Sequence, residues 1–180
     1  MLGSRFVHVK FIRIRRQQCQ RNYRAILMDV TDVLVRDLLP HDPPMVLLDE
    51  VISCEESSLV AEVVIKPESM FCNESGVPAW VGIEYMAQSV AAHAGAMARQ
   101  QGGEPVIGYL LGTRSYKSAV SDFPIGASLT IVVEQLFVEM GLGAFACRID
   151  MGETVAEATI NVYQPDDDSP EDIDAGTISE

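Results

Sequence analysis

Glu84 and Gln88 stand four residues apart in an apolar stretch, Pro78-Ala-Trp-Val-Gly-Ile-Glu84-Tyr-Met-Ala-Gln88-Ser-Val-Ala-Ala-His93-Ala-Gly-Ala-Met-Ala98. On a helix that spacing puts both side chains on one face, a turn apart. A carboxylate in such surroundings must be paired, hydrogen-bonded or held neutral. Burial of this kind is also how a carboxyl is tuned for general acid–base work. Two readings of Glu84 therefore stand side by side: an acid–base group, or a hydrogen-bonded structural residue where the helix meets solvent. Gln88 either orients Glu84 or bonds a main-chain carbonyl. Two histidines follow the first 27 residues, His41 and His93. His93 is nine positions past Glu84, about half a turn round at about 100° per residue, and reads as structural.

The stretch that carries these groups predicts a helix over 78–98. Pro78 suits a first helical position, Ala and Met fill the interior, and no proline follows until Pro105. Apolar nearly all round, it belongs inside a larger body. Polar interruptions and abundant Ala and Gly argue against a membrane span. Upstream, Val30, Val33, Leu34 and Leu38 recur at helical spacing until Pro40, predicting a helix from Met28. A rigid His41-Asp-Pro-Pro loop follows, then strands over Met45–Cys54 and Leu59–Ile65 with a turn at 55–58. After the central helix come strand-like runs at Val106–Val120, Ser128–Glu139, Gly143–Asp150 and Thr154–Tyr163, split by glycine- and proline-bearing turns. The order helix, two strands, long helix, four strands fits an α+β fold, an antiparallel sheet wrapped around the central helix.

Charge divides the chain sharply. Residues 1–27 hold seven basic side chains and no acid; the rest sets six bases against 26 acids, a formal charge of −20. An Arg-rich, acid-free leader reads as an organelle presequence, as an arm for nucleic acid or a membrane surface, or as sequence upstream of a start at Met28, the reading preferred here. The domain then spans 28–164, and an acidic tail without aromatic residues spans 165–180. So acidic a body does not suit nucleic acid, whose phosphates need concentrated positive charge. Cys19, Cys54, Cys72 and Cys147 are widely spaced, which points to no zinc site and no disulfide framework, but to a reducing, cytoplasmic setting.

Four segments resemble the hotdog-fold 3-hydroxyacyl-carrier-protein dehydratases of the FabZ/FabA type. They are Leu38-Leu-Pro-His-Asp-Pro-Pro-Met-Val-Leu-Leu-Asp49, Ile83-Glu-Tyr-Met-Ala-Gln88, Phe123-Pro-Ile-Gly-Ala-Ser-Leu-Thr-Ile131 and Ala156-Glu-Ala-Thr-Ile-Asn-Val-Tyr163. Pro78–Gln88 and Tyr109-Leu-Leu-Gly-Thr-Arg-Ser-Tyr116 are more similar still to the ApeP-like dehydratase proteins of aryl polyene gene clusters. The resemblance implies a hotdog fold and elimination of water from a 3-hydroxyacyl thioester. Glu84 matches the glutamate that works with a histidine of the other protomer. Main-chain N–H groups of Ala79, Trp80, Val81 and Gly82 would polarise the thioester carbonyl. The family histidine lies fourteen positions before the glutamate, and here that position is Met70. His41 is then the histidine available to share the chemistry.

Gly112, Thr113 and Arg114 would line a carrier-protein or pantetheine path, although Arg114 in so acidic a body equally suits a salt bridge. Trp80 and Tyr85 read as core or interface aromatics. The function implied is a 3-hydroxyacyl-[acyl-carrier-protein] dehydratase using Glu84 and His41 with no cofactor and no metal. The alternatives are an inert hotdog subunit that scaffolds an active FabZ-like partner, or an acyl thioesterase. The expected partners are a carrier-bound thioester and a second protomer, in a homodimer or a FabZ-like heterodimer. A −20 body would repel an acidic carrier protein unless a local patch overrides the field, which favours the scaffold.

Overall fold

A computed structural model describes residues 33–165. The leader, residues 28–32 of the predicted first helix and the tail from 166 lie outside the described residues.

The central helix forms where the spacing predicts. A 3-10 turn over Ala79–Val81 leads into α1, Gly82–Gln100. Six strands make the main sheet: β1 (Glu50–Glu55), β2 (Ser58–Val64), β4 (Tyr109–Ser118), β6 (Ser128–Glu139), β7 (Leu142–Met151) and β8 (Glu153–Tyr163). It is antiparallel throughout, in the order β1-β2-β6-β7-β8-β4. Period-2 alternation buries one side of β2, with Leu59, Ala61 and Val63 turned inward. These inward residues close on Met86, Val90 and Ala96 of α1, which packs against β2, β6, β7 and β8. The result is the α+β hotdog arrangement, one long helix in the concave face of one sheet.

Three departures from the sequence reading have local causes. Within the described part of the predicted first helix there is only a 3-10 turn, Val35–Asp37. The residue before a proline is driven out of the α region, and Leu38 and Leu39 instead run across α1, where both are buried. The crossing is so close that any side chain at Gly95 would strike the Leu38 carbonyl. Second, the first strand begins at Glu50, five residues late, because the loop before it is tied to α1 instead. β4 likewise begins at Tyr109, not Val106. Third, Val77–Pro78 (β3) and Asp122–Phe123 (β5) pair as a two-residue ribbon ahead of α1, too short for periodicity to reveal.

Of the strands with irregular pairing, two bear on the site and its surroundings. Edge strand β4 carries bulges between Leu110 and Gly112 and between Thr113 and Tyr116. β6 is bulged between Gln135 and Phe137, and from Glu134 to Glu139 it is exposed on both faces.

Candidate functional site

Glu84 lies in the first turn of α1, half-buried. Gln88, fully buried one turn later, holds it: its Nε2 donates to Glu84 Oε1 at 2.8 Å and to the Met45 carbonyl at 2.7 Å. Gln88 Oε1 accepts from the Leu47 N–H at 2.9 Å. One side chain thus orients the carboxylate and ties the 41–47 loop to the helix, doing both things the sequence left open. That loop carries His41. A cavity of about 190 Å³ is lined by Glu84, Gln88 and His41, with Ala87, Ala91 and Ala94 of α1 and Val106, Tyr109 and Leu110 opposite. His41 Nδ1 is buried without a hydrogen-bond partner among the described residues. A carboxylate and an imidazole therefore face one mainly apolar space.

Met70 lies elsewhere. It lines a second cavity, of about 270 Å³, with Tyr85, Ser69 and the Asp49–Lys66 ion pair (2.8 Å). Met70 is not among the residues that line the cavity of Glu84 and His41. Tyr85 is a core residue packed on Phe123, its phenol pushed up to about 12, chiefly by burial.

The Ala79–Val81 turn and Gly82 line neither cavity, and part of their donor set is already committed. Ala79 N–H bonds the Ser121 carbonyl at 2.9 Å, and Gly82 N–H reaches the Ala79 and Trp80 carbonyls. Tyr116 of β4 donates its hydroxyl to the Ala79 carbonyl, over Gly82, where a Cβ would sit 2.6 Å from that hydroxyl. Trp80 is not a core residue: it is 61% exposed and meets Phe71 edge-on at 5.7 Å. Gly112 and Thr113 lie at the bulges of β4; Gly112 takes φ +128°, which favours glycine, and its carbonyl accepts from Asn161 Nδ2 at 3.4 Å. Arg114 follows in the same strand, between the bulged positions.

His93 is buried away from Glu84, its Nε2 bonded to the Glu55 carbonyl at 3.0 Å and its ring edge-on to Phe145. Burial holds its pKa below the usual histidine range, against the opposing pull of the Glu55 and Glu56 carbonyls. Sequence reasoning missed the third cavity wall, Val106–Leu110, because only the fold brings the segment after α1 back beside Glu84.

Among the described residues no cluster of three or more His, Cys, Asp and Glu side chains is placed to hold a metal ion. No described helix is long and apolar enough to cross a membrane.

A solved structure, the dehydratase heterocomplex ApeI:P from Xenorhabdus doucetiae, is similar at 30% identity and a TM-score of 0.71, over 75% of this chain and 93% of that one. A hypothetical thioesterase from Streptococcus pneumoniae TIGR4, solved with coenzyme A, matches at 14% identity and a TM-score of 0.52, over 64% of this chain and 84% of its own. The PaaI protein of the E. coli phenylacetic acid degradation operon matches at 13% and 0.51, over 65% and 79%. At such identities the last two share the fold alone. No curated protein matches the sequence. The family model of the ApeP-like proteins, described as ApeP dehydratase, matches residues 33–173, and the chain belongs to that family.

Proposed function

We propose that this chain removes water from 3-hydroxyacyl thioesters carried by an acyl carrier protein, with Glu84 and His41 as the acid–base pair. The observation that carries the reading is their shared, mainly apolar cavity, with Glu84 held by Gln88. In the elimination one group takes a proton from the α-carbon and the α,β double bond forms. The β C–O bond breaks as the other group protonates the departing hydroxyl, leaving water and a trans-2-enoyl thioester. Met70 cannot move a proton, so the role falls to His41. Since the Ala79–Gly82 turn lines no part of the cavity, the turn that meets the thioester carbonyl is a second protomer's on this reading. Gly112, Thr113 and Arg114 then flank the pantetheine path along edge strand β4. We place the reaction in the cytoplasm, in keeping with the free thiols of Cys54, Cys72 and Cys147.

A second reading has its own support. Met70 stands at the family's histidine position, the body is strongly acidic, and the similar solved structure is a dehydratase heterocomplex. On that reading the chain completes a FabZ-like partner and turns over nothing alone. One experiment separates the two: turnover of a 3-hydroxyacyl thioester by wild type and by Glu84→Gln, each alone and co-expressed with a neighbouring dehydratase subunit. The catalytic reading expects Glu84→Gln to remove nearly all activity without unfolding, and His41→Ala to cost about 10²–10⁴-fold. Equal rates for wild type and Glu84→Gln would leave only the scaffold.

A further inference from the structure

The segment between α1 and β4 has no regular structure, yet it forms part of the cavity wall. Val106 and Gly108 line the space that holds Glu84 and His41. Of the amides at Glu104, Val106, Ile107 and Gly108, none has a hydrogen-bond partner among the described residues. Pro105 has no amide hydrogen to offer. Ile107 is 60% exposed, and Val106 beside it is also exposed. Glycines stand at both ends. Gly102, at φ +78°, ends the helix, and Gly103 N–H caps the Ala98 carbonyl at 2.9 Å. Neither a positive φ nor close packing demands glycine at 103 or 108: an added Cβ would meet its nearest neighbour at 3.4 and 3.7 Å. What glycine adds there is backbone freedom.

We infer that residues 104–108 are a lid, hinged at Gly103 and Gly108, that closes over the bound acyl group and brings Ile107 from solvent onto it. The inference rests on the cavity being the thioester site. Closure would shed the water that competes for protons at Glu84, while burying two apolar side chains that are exposed in the open form.

Hydrogen–deuterium exchange of the full chain tests this, with and without the amide (S-to-NH) analogue of 3-hydroxyoctanoyl-pantetheine, whose binding is followed by calorimetry. The free protein should exchange the four lid amides fast, and the analogue should slow them at least ten-fold. Ile107→Ser should weaken the analogue about ten-fold, the scale of one buried aliphatic side chain, with an unchanged melting temperature. Gly103→Ala with Gly108→Ala, where a methyl has room, should slow association. Binding without protection of residues 104–108 overturns the lid and leaves the site reading intact. Protection already present without the analogue means that another chain covers the segment, and also overturns it. If the analogue binds neither the chain nor its co-expressed complex, the site reading fails and the lid with it.

Discussion

Buried polar side chains are few among the described residues, and Gln88 and His93 each have a definite task. Gln88 uses both amide hydrogens and its carbonyl, fixing the Glu84 carboxylate and the loop of His41 in one stroke. Leaving any of those partners unmet inside the core would cost about 1–3 kcal/mol. His93 carries a different liability. Its folded pKa is depressed by burial, so the unfolded chain binds the proton more readily. The stability it gives is whole above about pH 6.5, the unfolded value, and is lost as the pH falls through the folded one. His93→Gln keeps a donor for the Glu55 carbonyl but cannot titrate. Melting temperatures from pH 7.5 to 5 should fall more steeply for wild type than for the variant, and parallel curves would show that His93 does not titrate on unfolding.

Elements are held in place by contacts that span long stretches of sequence, and Gly95 shows how sharp these can be. Alanine is the better helix former by about 1 kcal/mol. At 95, however, a methyl would meet the Leu38 carbonyl, and overpacking of that kind costs about 1–3 kcal/mol or more. Gly95→Ala should therefore lower the melting temperature despite its propensity, and a rise would mean that the 38–40 crossing yields easily. The same crossing marks where sequence reading runs out. Glu84 and Gln88 were legible because one helix carries both, and the six strand-like runs, each of which overlaps a strand of the main sheet, were legible from their composition and the turns between them. The shared cavity of His41 and Glu84 was not, since it depends on bonds from the Gln88 side chain to the main chain of residues more than forty positions earlier. Nor was the short turn at Val35–Asp37, where apolar spacing mimicked a helix but Pro40 and the burial of Leu38 and Leu39 dictated a crossing strap.

At the scale of the molecule, one end of the sheet is left uncovered. Tyr109, Leu110 and Leu111 on edge strand β4 are exposed, as are Leu136, Phe137, Val138 and Leu142 of the β6–β7 hairpin, with Met140 at its tip 86% exposed. Apolar surface of this extent beside an open strand edge leads us to predict an association site there. Light scattering at micromolar concentration should give a dimer, alone or with a FabZ-like partner, and Leu111→Lys should dissociate it; a stable wild-type monomer would refute the expectation. The position of Trp80 has an optical consequence. It is the chain's single tryptophan, and it stands in solvent at the mouth of α1. All the indole emission of the protein therefore comes from one spot, red-shifted while water surrounds the ring. Anything that settles on that turn, whether a neighbouring subunit or the arm of a thioester, must announce itself as a shift to the blue, with no dye and no mutation needed.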